Sequence, residues 1–193
     1  MPGAPSTASL IKDLNLEEHP EGGYYALTDS QGERVASPFS EGNQERPLAT
    51  SIYYLLTRDR PAGLFHMNKS VTYHVLHHGR AEYTLITPGR PPTVARRVLG
   101  TDVRAGETRL LVVGTGVWKR SALLAADLAG DEEEEEHAQC LITEVVVPGF
   151  DWADHVYMDR AALEALFDGV DGGARLIEEF AAFVGASAPG AAA

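Results

Sequence analysis

The sequence predicts an all-β domain, a sandwich or barrel, with helices only at its two ends. Between residues 48 and 147, eight short segments rich in Val, Leu, Ile, Tyr and Thr follow one another at roughly ten-residue spacing. The breaks between them carry turn residues: Arg60-Pro61, Gly79, Pro88-Gly89, Gly100, Gly106 and the Gly114/Gly116 pair. After Phe150 the apolar period lengthens from that of a strand to that of a helix.

Residues 1–9 are small and polar and are expected to be flexible. Leu10, Ile11, Leu14 and Leu16 then suggest a short helix or turn, stopped at His19-Pro20. In HPEGGYY the Gly22-Gly23 pair predicts a bend before a strand over 24–28. The Ser-, Gly-, Glu- and Pro-rich stretch 29–47 is expected to be a long surface loop. The predicted strands that follow are 48–57, 62–68, 71–77, 80–87, 92–99, 109–114, 117–126 and 139–147, with no helix among them. The acidic run Asp131–Glu136 interrupts the last pair and is expected to be a solvated loop. Asp159 can cap a helix carrying Leu163, Leu166, Phe167 and Val170 on one face. A second helix within 169–185 carries Leu176, Ile177, Phe180, Phe183 and Val184. The tail, 186–193, is expected to be disordered.

Composition narrows the function. Of the 193 residues, 44% are hydrophobic and 23% charged, which fits a globular chain able to bury a core. The formal net charge is −12, about half of it from the single acidic run. Such a balance repels phosphate backbones and anionic bilayers, so neither nucleic acid nor membrane is an expected partner. Cys140 is the single cysteine, which excludes an internal disulfide framework. The first residues have neither the basic nor the apolar region of a secretion signal, and no apolar stretch nears 18 residues. A cytoplasmic protein is expected. GTGVWK and GRAEYT do not match a phosphate-binding loop. G-x-S-x-G, C-x-x-C and H-E-x-x-H are all absent.

Strand parity points to a site. One face of 62–68 holds Leu64, His66 and Asn68; one face of 71–77 holds Thr72, His74 and Leu76. One face of 139–147 holds Cys140, Ile142, Glu144 and Val146. A carboxylate among such neighbours is not expected to face solvent, and buried ionisable groups need partners. If these faces line one barrel, His66, His74 and Glu144 converge in a cavity with Asn68 and Thr72. Each residue also has a plainer reading: a hydrogen-bonded core histidine for His66 and His74, a structural ion pair for Glu144. His19 and His155 are expected to orient loops, and His77, His78 and His137 to be solvated.

The chain resembles the cupin superfamily, and within it the cupin-5 family. The resemblance is carried by HPEGGYY, TSIYYLLT, GLFHMNKSVTYHVLHHGRAEYTLI, AGETRLLVVGTGVWKRS and ITEVVVPGFDWADH. It covers roughly residues 10–168 and implies a double-stranded β-helix, or jelly-roll barrel, commonly a homodimer. Laid on this chain, the general cupin metal motif keeps only its first histidine, His66. The other three ligand positions fall on Asn68, Thr72 and Lys119. Asn and Thr are poor ligands for transition metals, and an ammonium repels a cation. No metal and no other cofactor is therefore expected at those positions.

Metal-free cupins include sugar epimerases and isomerases, which implies proton transfer beside a carbonyl group. The expected function is a small-molecule-binding cupin acting as a metal-independent isomerase, epimerase or cyclase on a small polar or sugar-like carbonyl compound. His74 is the expected base, Lys119 or His66 the electrostatic stabiliser, and Glu144 the orienting group or acid. Trp118 and Tyr53 are expected to wall the cavity, and Asn68, Thr72 and Ser51 to bind the ligand. Two alternatives stand beside this: a non-catalytic sugar-, nucleotide- or metabolite-binding cupin, and a metal-dependent enzyme using His66, His74 and Glu144.

Overall fold

The computed structural model describes residues 5–129 and 138–185. Residues 1–4, Gly130, the acidic run Asp131–Glu136, His137 and the tail 186–193 lie outside the described residues. The strands are β1 (Glu17–Glu18), β2 (Tyr24–Ser30), β3 (Arg34–Ala36), β4 (Glu45–Pro47), β5 (Thr50–Thr57), β6 (His66–Asn68), β7 (Val71–Gly79), β8 (Ala81–Thr87), β9 (Thr93–Leu99), β10 (Leu110–Val113), β11 (Trp118–Ala122), β12 (Gln139–Val147) and β13 (His155–Tyr157). Helix α1 (Thr7–Asp13) precedes them; α2 (Arg160–Phe167) and α3 (Gly173–Phe180) follow.

Two antiparallel sheets face one another, as in a jelly roll. One has the order β1-β2-β5-β12-β7-β10, the other β13-β6-β11-β8-β9. Inward-facing Tyr54, Leu56, Leu76, Tyr83, Leu99, Leu111, Val113, Cys140 and Ile142 make one core between them. Each sheet also has a covered outer face. Helix α1 and Leu16 pack over Leu55 and Leu141 on the first sheet. Helices α2 and α3 pack Leu163, Phe167 and Phe180 against Phe65 and Ile86 of the second.

Several boundaries differ from expectation: the expected strands 62–68 and 117–126 shorten to His66–Asn68 and Trp118–Ala122, and β13 has no expected counterpart. Helix α1 starts at Thr7 because the Ser6 side chain accepts from the Ser9 amide, so the ordered chain begins before residue 10. The expected surface loop 29–47 contains a hairpin, β3 paired with β4, held to the body by buried Arg46. Its polar composition hid the strands. The segment 169–185 is part of the same packed body. Phe180 stacks edge-on to Phe65 at 5.2 Å, and the Phe65 amide donates to the Phe183 carbonyl at 2.8 Å.

Among the described residues, no helix is long and apolar enough to cross a membrane.

Phe65 and Phe180 are 0% and 1% exposed, so truncating either leaves a cavity rather than a relaxed surface. Phe180→Ala should destabilise the whole barrel by about 3–5 kcal/mol in a denaturant titration. A loss under about 1 kcal/mol would mean that the helical layer is dispensable.

Candidate functional site

The site begins with a turn at residues 19–23. The His19 carbonyl accepts from the Gly22 amide at 3.0 Å, and the His19 amide donates to the Gly23 carbonyl at 3.0 Å. Gly22 and Gly23 have φ of 109° and 70°, and a Cβ on either would sit 2.5–2.6 Å from a carbonyl oxygen of Ala62 or Leu55. Only glycine lets the turn press this close. The closeness drives the Glu21 side chain inward, where it is buried although its sequence neighbours read as a surface turn.

Three strands supply the floor of the cavity. Register places Glu144 of β12 opposite His74 of β7, and Lys119 of β11 opposite His66 of β6. The Lys119 ammonium donates to Thr72 Oγ1 at 3.1 Å, to His74 Nε2 at 3.3 Å and to Glu144 Oε1. Thr72 Oγ1 and His74 Nε2 lie 3.1 Å apart on one side of the ammonium, and Glu144 Oε1 is its ionic partner. Glu144 Oε2 has its nearest partner, His74 Nδ1, at 3.8 Å, which is too long for a hydrogen bond. Burial pushes the Glu144 carboxyl up, but Lys119 and then His74 outweigh it and hold it at about 2. His74 takes its lysine bond on Nε2 and reaches the Tyr83 hydroxyl, 3.4 Å away, through Nδ1. Burial lowers His74 to about 3 and His66 to about 4, so both are neutral at ordinary pH.

Beside this floor lies a second cluster, Glu21, His66 and His155. Glu21 Oε1 is 2.6 Å from His155 Nε2, and Oε2 is 3.3 Å from His66 Nε2. The two imidazoles stack at 5.3 Å. A small inner cavity of about 10 Å³ is lined by Glu21, His66, His74, Lys119 and Glu144, with Tyr54, Tyr83 and Ser121. A larger pocket of about 370 Å³ shares Glu21, Tyr54 and Glu144 with it and opens outward between His19, Tyr25, Phe150 and Trp152. The loop after β12 forms one wall. The Phe150 amide donates to Thr50 Oγ1 at 2.9 Å, and Asp154 pairs with buried Arg46 at 2.6 Å. His19 accepts the Glu21 amide on Nδ1 at 3.1 Å. Its neutral tautomer, favoured by burial, therefore carries its proton on Nε2.

The structure thus brings His66, His74, Lys119, Glu144 and Thr72 together, and sets Asn68 in the wall of the outer pocket. Two expected wall residues lie elsewhere. Trp118 alternates with Lys119 and points out of the barrel into the layer beneath α2 and α3. Tyr53 points outward beneath α1, while its neighbour Tyr54 takes the interior position. Strand β5 is apolar on both faces because both are covered, so its alternation carries no sign. Ser51 lines the rim, but its hydroxyl is engaged with Thr28 at 2.7 Å. The sequence reading missed Glu21 as a site residue and took His155 for a loop residue. His155 is buried against Glu21 on β13, which pairs with β6 at the edge of the second sheet, and no sequence pattern marked it.

At the motif positions of a metal-binding cupin, the residues do not fit an ion: Thr72 and Lys119 hydrogen-bond one another, and the ammonium occupies the space. The alternative set His66, His74 and Glu144 does not form a ligand triad either, since Lys119 lies on both His74 and Glu144.

A two-sheet antiparallel barrel with a polar floor under an open mouth is a jelly roll with a built-in pocket. Residues 8–158 match the family described as Cupin_5, cupin superfamily (DUF985), and the chain belongs to it. An uncharacterised Saccharomyces cerevisiae protein, YML079W, is 40% identical over 166 residues, covering 82% of this chain and 78% of the yeast protein. Among solved structures, a hypothetical protein from Leishmania major superposes with a TM-score of 0.74 at 26% identity, over 89% of this chain and 98% of its own. Protein SO0799 from Shewanella oneidensis gives a TM-score of 0.70 at 24% identity, over 95% and 99%.

Two outcomes follow from the floor. Removing one member of a buried ion pair strands the other charge, so Lys119→Met alone should cost about 3–5 kcal/mol. Lys119→Met combined with Glu144→Gln should cost clearly less than the two single changes summed, as read by urea unfolding. Additive costs would show that the two side chains are not coupled.

The second outcome concerns acid. His66 and His74 have folded values below their ordinary 6.5, so the unfolded chain binds more protons between the two. Their stabilisation is full above pH 6.5 and is lost as pH falls toward 4 and 3. Each should add a slope of about 1.4 kcal/mol per pH unit over that window. Glu144 acts in the same direction at lower pH, its contribution fading from the ordinary carboxylate value of 4.5 toward 2. Unfolding free energies that are flat from pH 7 to 4.5 would contradict neutral burial of both histidines.

Proposed function

We propose that this cupin binds a small polyhydroxylated, sugar-like carbonyl compound in the 370 Å³ pocket and moves a proton beside the carbonyl, as an isomerase or epimerase does. The observation that carries the reading is a pair of carboxylates, buried Glu21 and partly exposed Glu144, opening on one aromatic-walled pocket. Carboxylates accept hydrogen bonds from hydroxyl groups, and aromatic faces such as Tyr25, Tyr54 and Trp152 cover the apolar side of a sugar ring. A pocket of this size suits a ligand of metabolite dimensions.

The roles follow from what is free to act. His74 and Lys119 lie behind Glu144 and position it; their hydrogen bonds are already committed. Glu144 Oε2, without a close protein partner, is the acceptor for the proton leaving the carbon next to the carbonyl. The electron pair of that C–H bond forms the enediolate, whose oxygen takes a hydrogen bond from His19 Nε2–H. Return of the proton to the other face of the same carbon completes epimerisation; return to the neighbouring carbon completes isomerisation once the hydroxyl proton of the first carbon has passed to the former carbonyl oxygen.

One observation favours the non-catalytic reading. The lysine that holds Glu144 at about 2 also makes it a weak base, better suited to accepting a hydroxyl than to taking a carbon-bound proton. A homodimer is proposed alongside either reading.

Both readings are tested in deuterium oxide by NMR with a panel of small aldoses, ketoses and their uronic acids. Turnover predicts deuterium at the carbon beside the carbonyl of one panel member, with at least a hundredfold loss in Glu144→Gln. Saturable binding without exchange supports the binding-only reading. Neither binding nor exchange across the panel would overturn the sugar-like assignment.

A further inference from the structure

We infer that Glu21, His66 and His155 form a binding site for one divalent transition-metal ion, set apart from the cupin motif positions and built from residues outside the motif except for His66. The argument starts from a hydrogen bond. His66 Nδ1 lies 3.0 Å from the Leu64 carbonyl oxygen. A carbonyl cannot donate, so Nδ1 carries the proton and the neutral ring presents its lone pair at Nε2. That lone pair is 3.3 Å from Glu21 Oε2, itself an acceptor. Two buried acceptors face one another, which costs free energy unless something positive lies between them.

Among the described residues, no side-chain cation serves the purpose. Lys119, the buried ammonium of the cavity, is paired with Glu144 and lies against Thr72 and His74. Arg46 is committed to Asp154. Counted over the cavity, two carboxylates meet one ammonium, and Glu21 is the one left facing only imidazoles.

The geometry suits a metal. One donor atom from each of Glu21, His66 and His155 lies within 4.8 Å of the others, and all three residues are buried. Two ligands of a tetrahedral ion with bonds of about 2.0–2.1 Å stand roughly 3.3 Å apart, the separation of His66 Nε2 from Glu21 Oε2. The bond from His66 Nδ1 to a backbone carbonyl is the outer contact that fixes a metal-ligating histidine in its ring orientation. The rings of His66 and His155 lie nearly parallel, 18° apart, with both Nε2 atoms toward Glu21; His155 Nε2–H donates to Oε1 at 2.6 Å, and the ion would take the place of that proton. Two imidazoles and one carboxylate select a first-row ion such as Zn²⁺, Co²⁺, Fe²⁺ or Ni²⁺ over Mg²⁺ or Ca²⁺. Glu21 also lines the outer pocket, so an oxygen of a bound molecule can complete the coordination. The inference does not depend on the sugar-like assignment.

The test uses the full chain stripped with a chelator and titrated with Co²⁺ and Zn²⁺. Calorimetry should show one saturable site with micromolar or tighter affinity, and Zn²⁺ should raise the melting temperature. Glu21→Gln and His155→Asn should each weaken binding at least a hundredfold, while His78→Ala, on the far end of β7, should leave it unchanged. If the site variants do not fold, the unmutated protein still decides the matter: Zn²⁺ should shift the Nε2 resonances of two histidines in nitrogen-15 NMR. Absence of saturable binding would overturn the inference, and so would binding that shifts neither His66 nor His155. The same spectra would overturn it by showing His66 doubly protonated at pH 7, with a proton in the place assigned to the metal.

Discussion

The interior of this barrel depends on one ammonium. Lys119 is 2% exposed, and its ammonium is held by a threonine, a neutral histidine and a carboxylate drawn from two further strands, Thr72 and His74 of β7 and Glu144 of β12. A charge so deeply buried is tolerated only when every donor is matched. The matching ties the two sheets together across the cavity, since β11 belongs to one sheet and β7 and β12 to the other. It also sets what the site can do. The lysine keeps Glu144 ionised, fixes one of its oxygens and leaves the second toward the open space. The same ammonium stands where a metal-binding cupin would need a ligand, which moves any cation chemistry to the other side of the floor.

The rest of the site is arranged around that constraint. The glycine turn at residues 22–23 presses against the barrel and delivers Glu21 as a second carboxylate. The loop after β12 brings Phe150 and Trp152 over the mouth, and the Arg46–Asp154 pair anchors it to the β3–β4 hairpin. Neither element belongs to the barrel strands proper. Both come from connections whose length and shape a family can vary while the floor stays put.

The fold was legible because the strand segments, their turn residues and the change of period after Phe150 are local signals. The convergence of His66, His74 and Glu144 was legible because alternation marks polar residues on otherwise apolar strand faces. What failed did so for physical reasons. Tyr53 and Tyr54 sit in a strand covered on both sides, so pattern cannot tell inside from outside. Trp118 was expected in the cavity, yet a large apolar side chain on a barrel strand is equally at home beneath an outer helix. Glu21 lies between a proline and two glycines, the composition of an exposed turn. Its burial follows from how closely that turn packs on Leu55 and Ala62, a tertiary fact without a sequence pattern. His155 gained its role only by pairing with Glu21, 134 residues away.

The central claim is that Lys119 holds Glu144 as a permanently ionised acceptor on the cavity floor. Carbon-13 NMR of the Glu144 side-chain carboxyl, followed as a function of pH in the folded protein, reads this directly. The account predicts a carboxylate that remains ionised at every pH at which the barrel stays folded, with no titration step between pH 7 and 4. A step with its midpoint above pH 5 would contradict it, because the carboxyl would then be governed by burial rather than by the lysine.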